Sequence, residues 1–240
     1  MKLSVVIPVY NEEATIGDLL SMVVAAPLPE AVSELELVAV DDCSSDETWS
    51  ELERWQPSER EDGRGVTVIR KHHPHNRGKG AALRTGFAAA SGDVLLIQDA
   101  DLEYDPTEYP ALLQPIIDSR AEIVYGSRFL GGPHRVLFYW HYLGNQMLTL
   151  LSNMFSDLNL TDMETCYKVF VCEILERITL KSNRFGFEPE FTAKVARLGV
   201  RIYEVPISYH GRTYAEGKKI GWMDGVAAIW SILRFNIWDR

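Results

Sequence analysis

Apolar and polar positions fall in alternating blocks along the first half of the chain. Leu3–Val9 is a short apolar run closing around Pro8, and Glu12–Ala25 follows it with helical periodicity. Leu35–Val40 is a second apolar block ending in Asp41-Asp42, Val66–Arg70 a third, and Gly78–Ala90 reads as a helix. Val94–Ile97 is a fourth strand leading into Asp99, Pro106–Asp118 a helix with proline in its first turn, and Ile123–Tyr125 a fifth strand. Strands alternating with helices in this way predict a parallel sheet with crossover connections. Ligands of such sheets sit at the carboxyl ends of the strands. Asn11-Glu12, Asp41-Asp42, and Asp99 with Asp101 all fall at that edge, and three acidic strand ends on one edge are hard to explain as core packing.

The second half changes character. Val136–Ser156 runs for 21 residues without Asp, Glu, Lys or Arg. That length matches a membrane span of ~20 residues, but His141, Asn145, Gln146, Thr149, Ser152 and Asn153 interrupt it. The pattern over 134–156 predicts an amphipathic helix lying on a membrane or docked on another subunit, against the alternative of a plain core helix. A polar loop (Asp157–Cys166), a helix or strand near Val169–Ile178, a helix at Glu190–Leu198, a strand at Arg201–Val205 and a closing helix at Trp222–Phe235 complete the reading.

At 240 residues the chain is long enough for one α/β domain with a proper core. Met1-Lys2 runs straight into the first strand with no secretory plan, and three cysteines without framework spacing read as reduced thiols in cytoplasm. The net charge of −10 argues against nucleic-acid binding. Two basic islands, 70–79 and 212–219, suit a small polyanion such as a pyrophosphate, or are simply solvated loops.

The strongest chemical feature is Gln98-Asp99-Ala100-Asp101-Leu102-Glu103 directly after an apolar strand. Two carboxylates two apart at a strand end can face one hard cation, Mg²⁺ or Mn²⁺, with Glu103 as a third ligand; the alternative is a solvated turn. Asp42 is placed to accept a nucleobase N–H, while Ser44, Ser45 or Asp46 caps the next helix. Asn76-Arg77-Gly78-Lys79-Gly80 opens a helix, so Lys79 and the glycines suit a phosphate or sugar contact, or the loop merely needs positive φ. The first strand lacks G-x-G-x-x-G and any ATP-type loop. His72, His73 and His75 have no further ligand at zinc spacing.

Together these stretches resemble glycosyltransferase family 2, and within it the polyprenyl-phosphate sugar transferases. The matching segments are V-V-I-P-V-Y-N-E-E (5–13), V-D-D-C-S-S-D-E-T (40–48), N-R-G-K-G-A-A-L-R-T-G (76–86), Q-D-A-D-L-E (98–103), Y-G-S-R-F (125–129), D-M-E-T-C-Y-K-V-F (162–170) and H-G-R-T-Y-A-E-G-K-K (210–219). The resemblance implies a GT-A nucleotide-diphospho-sugar transferase fold over 1–240, with a donor half (1–130) and an acceptor half (131–240). It implies a nucleotide pocket from Pro8, Tyr10, Glu12, Val40 and Asp42, and metal or diphosphate contacts at Asp99, Ala100, Asp101 and Glu103. Relatives often carry Gln where Glu103 stands. Arg128 matches a position near the donor diphosphate and acceptor phosphate. Arg212 matches the arginine of a late R-x-x-G-x-S-K-like motif, here spaced more widely, which leaves Lys218 and Lys219 without a clear counterpart.

The implied reaction is displacement at the anomeric carbon with inversion, from a UDP- or GDP-hexose. A polyprenyl phosphate acceptor is already ionised at pH 7 and needs Arg128 and Arg135 to hold it in line rather than a strong base. A hydroxyl acceptor needs a base, for which Asp162 and Glu164 are the candidates; for Asp162 the competing role is to order its loop. A nucleotidyltransferase would need a Gly-rich triphosphate loop after the first strand, and a non-catalytic sugar-nucleotide binder would not need Asp99, Asp101, Arg128 and Arg212 intact. Many relatives append transmembrane helices. This chain shows none, so the expected location is cytoplasmic and peripheral on the cytoplasmic face of the membrane, through 134–156 and the Trp-rich end (Trp222, Trp230, Trp238).

Overall fold

The computed structural model describes residues 1–131, 133–136, 138–213 and 222–239. Seven strands form one sheet: β1 (Lys2–Val9), β2 (Glu34–Asp41), β3 (Gly65–His72), β4 (Val94–Ile97), β5 (Ile123–Ser127), β6 (Lys168–Val171) and β7 (Ile202–Pro206). Their order is β3-β2-β1-β4-β6-β5-β7. All run parallel except β6, which pairs antiparallel with both β4 and β5. The helices are α1 (Ile16–Ala25), α2 (Thr48–Arg54), α3 (Lys79–Ala89), α4 (Tyr109–Ile117), α5 (Tyr139–Ser156), α6 (Glu173–Arg177), α7 (Phe187–Ala196) and α8 (Trp222–Leu233).

β1, β2 and β4 are near-continuous apolar runs because both their faces are covered, as parallel strands under crossover helices must be. Close packing over β1 needs Gly86 of α3, where a Cβ would stand 2.3 Å from Val6 Cγ1. The chain leaves β1 toward β2 and β3 on one side, then returns to place β4 on the other. That reversal makes the crevice beyond the carboxyl ends of β1 and β4 the switch point where open α/β sheets take ligands.

Several elements differ from the sequence reading. α1 begins at Ile16 rather than Glu12, because Asn11-Glu12 turn off the end of β1 and the Glu12 carbonyl accepts the amides of Thr15 and Ile16. The ambiguous 169–178 stretch is both things in turn, β6 and then α6. α7 starts at Phe187, three residues before the expected Glu190, with Gly186 at its N-terminal boundary. The proline-led segment begins as a short 3₁₀ turn, Pro106–Glu108, in which Asp105 accepts the Thr107 amide, before α4 proper.

Candidate active site

Three turns follow β1, β2 and β4, and each contains a non-glycine residue held at positive φ: Asn11 (51°), Cys43 (60°) and Leu102 (59°). Left-handed backbone at such residues is disfavoured and tends to mark sites that surrounding contacts over-determine. The three turns are bound to one another. Asn11 Oδ1 accepts the Ser45 amide at 2.8 Å, the Glu12 amide donates to Thr48 Oγ1 at 2.9 Å, and Thr15 Oγ1 donates to the Ala100 carbonyl at 2.8 Å.

The expected nucleotide residues take distinct positions in this frame. Pro8 and Val40 are neighbours across β1 and β2. Val40 is fully buried, and its Cγ2 lies 3.4 Å from where a Gly86 Cβ would be, so its side chain packs under α3. Tyr10 is 40% exposed beyond the strand. Asp42 is buried and holds the next loop: its carboxylate accepts from His73 Nδ1 (2.7 Å), the Arg77 amide (2.9 Å) and the Gly78 amide (2.5 Å). Gly78, at φ 92°, is the turn residue that makes this approach possible. His73 also reaches Thr85 Oγ1 at 2.9 Å, so this histidine braces the loop. Asp46 rather than a serine accepts the Thr48 amide at the start of α2.

Lys79 places its ammonium between Asp99 (2.9 Å) and Glu188 (3.1 Å). Burial alone would lower its pKa, but Asp99 and then Glu188 outweigh that and hold it well above the ordinary value. Arg212 forks onto Glu12 (3.2 Å to each oxygen) and Asp101 (3.2 Å). Lys218 and Lys219, from the same motif, lie outside the described residues. Glu103 has both oxygens engaged, Oε1 accepting the Arg212 amide at 2.8 Å and Oε2 the Tyr209 hydroxyl at 2.7 Å, while its carbonyl accepts the His210 amide. It therefore straps the 209–212 segment over the turn, with Arg212 Nε 3.5 Å from Oε1.

Asp101 is the crowded carboxylate. Burial, then the charges of Asp99 and Glu103, push its pKa up to about 7 despite Arg212. A dication relieves that kind of crowding, and Mg²⁺ or Mn²⁺ characteristically takes one or two protein carboxylates and fills its other positions with phosphates and water. Asp99 and Asp101 fit that description. Among the described residues no set of three His, Cys, Asp or Glu stands close enough to hold a metal, so Glu103 does not complete a protein cage with them.

In the half of the chain expected to take the acceptor, Asp162 is fully buried and grips Arg128 as a fork, Oδ2 to Nε at 2.6 Å and Oδ1 to Nη2 at 2.7 Å. With both oxygens committed, Asp162 orients the Arg128 guanidinium. The guanidinium also lies 5.1 Å from the Tyr209 ring, whose hydroxyl is on Glu103. Arg135 is exposed and donates to the Gly211 carbonyl at 3.3 Å. Glu188, on α7, was not singled out in the sequence. It is 4% exposed, with one oxygen on Lys79 and Oε2 buried without a hydrogen-bond partner. A signal was available, since G-F-E-P-E-F puts two glutamates into an apolar helix start, and both are buried. Glu164 likewise has a buried, unpartnered Oε1, and burial followed by Glu188 pushes its pKa up to about 8.

The glycosyl transferase family 2 model matches residues 4–179. An undecaprenyl-phosphate mannosyltransferase of Micrococcus luteus is 31% identical over all of this chain and 96% of its own length. A dolichol-phosphate mannosyltransferase of Pyrococcus furiosus is 37% identical over 55% of this chain but only 34% of its own length. Among solved structures, glucosyl-3-phosphoglycerate synthase of Mycobacterium tuberculosis, in complex with Mn²⁺, UDP and glucosyl-3-phosphoglycerate, superposes with a TM-score of 0.69 at 22% identity. That match covers 98% of this chain and 80% of the other, and at that identity it speaks to the GT-A-like fold alone. The chain belongs to glycosyltransferase family 2 and is a glycosyltransferase.

Proposed function

We propose that this chain is an inverting, metal-dependent hexosyltransferase that moves a sugar from a UDP- or GDP-linked donor to a polyprenyl phosphate, working peripherally on the cytoplasmic face of a membrane. The observation that carries the reading is Arg128, clamped by Asp162 and set against Tyr209, which is itself tied to the D-A-D-L-E turn. A half-buried guanidinium fixed beside the acidic turn suits a phosphate. The acceptors named for the Micrococcus and Pyrococcus relatives agree with such a partner.

The donor half is residues 1–130, with Pro8, Tyr10, Glu12, Val40 and Asp42 around the nucleoside and Lys79, Asp99, Ala100 and Arg212 toward the diphosphate. Mg²⁺ or Mn²⁺, held by Asp99 and Asp101, would supply positive charge to the departing diphosphate. Arg128 and Arg135 hold the acceptor phosphate in line with the anomeric carbon, whose bond to the diphosphate oxygen breaks as the bond to the acceptor oxygen forms. A phosphate oxygen carries its charge at pH 7, so the step needs no proton acceptor, in keeping with an Asp162 committed to Arg128. The second reading, transfer to a hydroxyl, is favoured by Glu164, whose raised pKa and unpartnered oxygen suit a general base.

A thermal-shift panel of UDP-, GDP- and dTDP-sugars with Mn²⁺ tests the donor: ligand at 100 times its dissociation constant should stabilise by ~2.7 kcal/mol. The selected donor is then offered undecaprenyl phosphate or a free sugar. Product on the lipid phosphate is expected; a chain whose melting point no donor moves is not this enzyme, and product on the sugar alone favours the second reading.

A further inference from the structure

Glu204 sits in the middle of β7, opposite Tyr125 of β5, on the edge strand farthest from the donor turns. Strand residues of this kind ordinarily serve packing, yet this carboxylate reaches into the acceptor half. Oε1 accepts the Thr161 amide at 2.8 Å, the Asp162 amide at 3.2 Å and the Thr161 hydroxyl at 3.2 Å, and Oε2 lies 2.9 Å from the Thr161 amide. Two consecutive amides converging on one carboxylate fix the backbone that carries Asp162. Thr161 Oγ1 is also bonded to Ser127 Oγ at 2.6 Å, and Ser127 immediately precedes Arg128. Arg128 is thus held from both ends, its side chain by the Asp162 fork and its backbone by the Ser127–Thr161 contact and its own amide on Asp162 (3.2 Å).

The cost of this arrangement argues that it has a purpose. Glu204 and Asp162 are both acidic and close, and burial followed by hydrogen bonding that only partly compensates leaves Glu204 with a raised pKa. An apolar residue would remove that repulsion but would leave the two amides without an acceptor. We infer that Glu204 is a positioning residue, which acts through Thr161 and Asp162 to aim the Arg128 guanidinium at the acceptor phosphate. The inference rests on the acceptor proposed above for Arg128.

The test substitutes Glu204→Gln, which keeps the size and replaces one acceptor oxygen by a donor that faces an amide. With undecaprenyl phosphate as acceptor and the donor selected by thermal shift, the expected result is a rise in acceptor KM of about tenfold or more with donor KM unchanged. In an Arg128→Ala background the same substitution should have no further effect, because its only route to the acceptor is gone. Independently of turnover, the Arg128 Nε–H signal in ¹⁵N NMR should be protected from solvent exchange in the wild type and broaden in Glu204→Gln. Glu204→Asp, which retains the charge, should restore part of both readouts, and it carries the comparison if the glutamine variant does not fold. Additive losses in the two backgrounds, or an Arg128 signal that stays protected, overturn the inference. Absence of transfer by the wild type would fail the proposed function while the NMR comparison still decides the role of Glu204.

Discussion

Asp101 and Glu103 stand on one turn, two residues apart, and their surroundings separate their roles. Asp101 faces Asp99 and Arg212, whereas both oxygens of Glu103 are taken by Tyr209 and the Arg212 amide. Asp101→Ala should abolish transfer, by a thousandfold or more, and leave the melting point near that of the wild type, as measured by turnover with Mn²⁺ and by thermal denaturation. Glu103→Gln keeps one acceptor for the strap and should cost about tenfold at most; a loss as deep as that of Asp101→Ala would return Glu103 to the metal. Arg128→Lys should lower transfer at least tenfold with donor binding intact, because an ammonium cannot reproduce the fork on Asp162. The spacing of the carboxylates is visible in the sequence, but the division of labour among them is not. It depends on Tyr209 and Arg212, more than 100 residues away along the chain, and on which side chain the strap consumes. Asp162 shows the same limit: its candidacy as a base was legible, its capture by Arg128 only in three dimensions.

At the scale of elements, β1, β2 and β4 were readable because strands covered on both faces must be apolar throughout. β6 was not, because its direction is set by its pairing with β4 and β5 and not by its own four residues. Glu188 was missed for a related reason, since its partner Lys79 belongs to a helix more than 100 residues earlier. One buried glutamate makes a sharper prediction. Glu36 of β2 is 1% exposed and accepts from Ser4 Oγ (2.6 Å), Ser91 Oγ (2.6 Å), the Ser91 amide (2.8 Å) and Lys2 Nζ (2.5 Å). It thereby ties β2 to β1 and to the turn entering β4. Burial raises its pKa, but the bonds from Lys2, Ser4 and Ser91 together outweigh it and lower the value from 4.5 to about 2. A depressed folded-state pKa contributes stability that is full above the unfolded value and is lost as pH falls through the folded one. That shift is worth on the order of 3 kcal/mol, lost between about pH 4.5 and pH 2. Urea denaturation across that range should show the loss in the wild type and a flatter profile in Glu36→Gln, whose stability at pH 7 should be lower by a similar amount.

For the molecule as a whole, the telling element is α5, which is turned inside out. Its two buried residues are polar, Thr149 and Ser152, while Trp140, Met147, Leu150 and Met154 lie outward on one stripe with exposures of 76, 63, 61 and 72%. α5 packs against α8, which adds exposed Met223, Val226 and Trp230, and Trp238 stacks on Trp230. No helix among the described residues is long and apolar enough to cross a membrane; under the peripheral placement proposed above, this exposed apolar face is the one that would lie on its surface. The inward side of α5 is tied to the segment that carries Asp162: Thr149 Oγ1 accepts the Met163 amide at 3.1 Å, and Asn153 bonds both the amide and the carbonyl of Leu160. Those contacts bracket Thr161 and Asp162, so α5 also supports the backbone behind Arg128. Trp140→Glu combined with Trp230→Glu should therefore weaken sedimentation with phospholipid vesicles by roughly 30-fold, the equivalent of about 2 kcal/mol of lost apolar burial. Transfer to a short, soluble prenyl phosphate should be unchanged in the same variant, because both tryptophans are exposed while Thr149 and Asn153 hold the 160–163 segment. Full retention on vesicles would mean that the stripe is covered by something other than lipid, and a second copy of the chain, visible as a dimer by light scattering that the double substitution dissociates, is the occupant that result would favour.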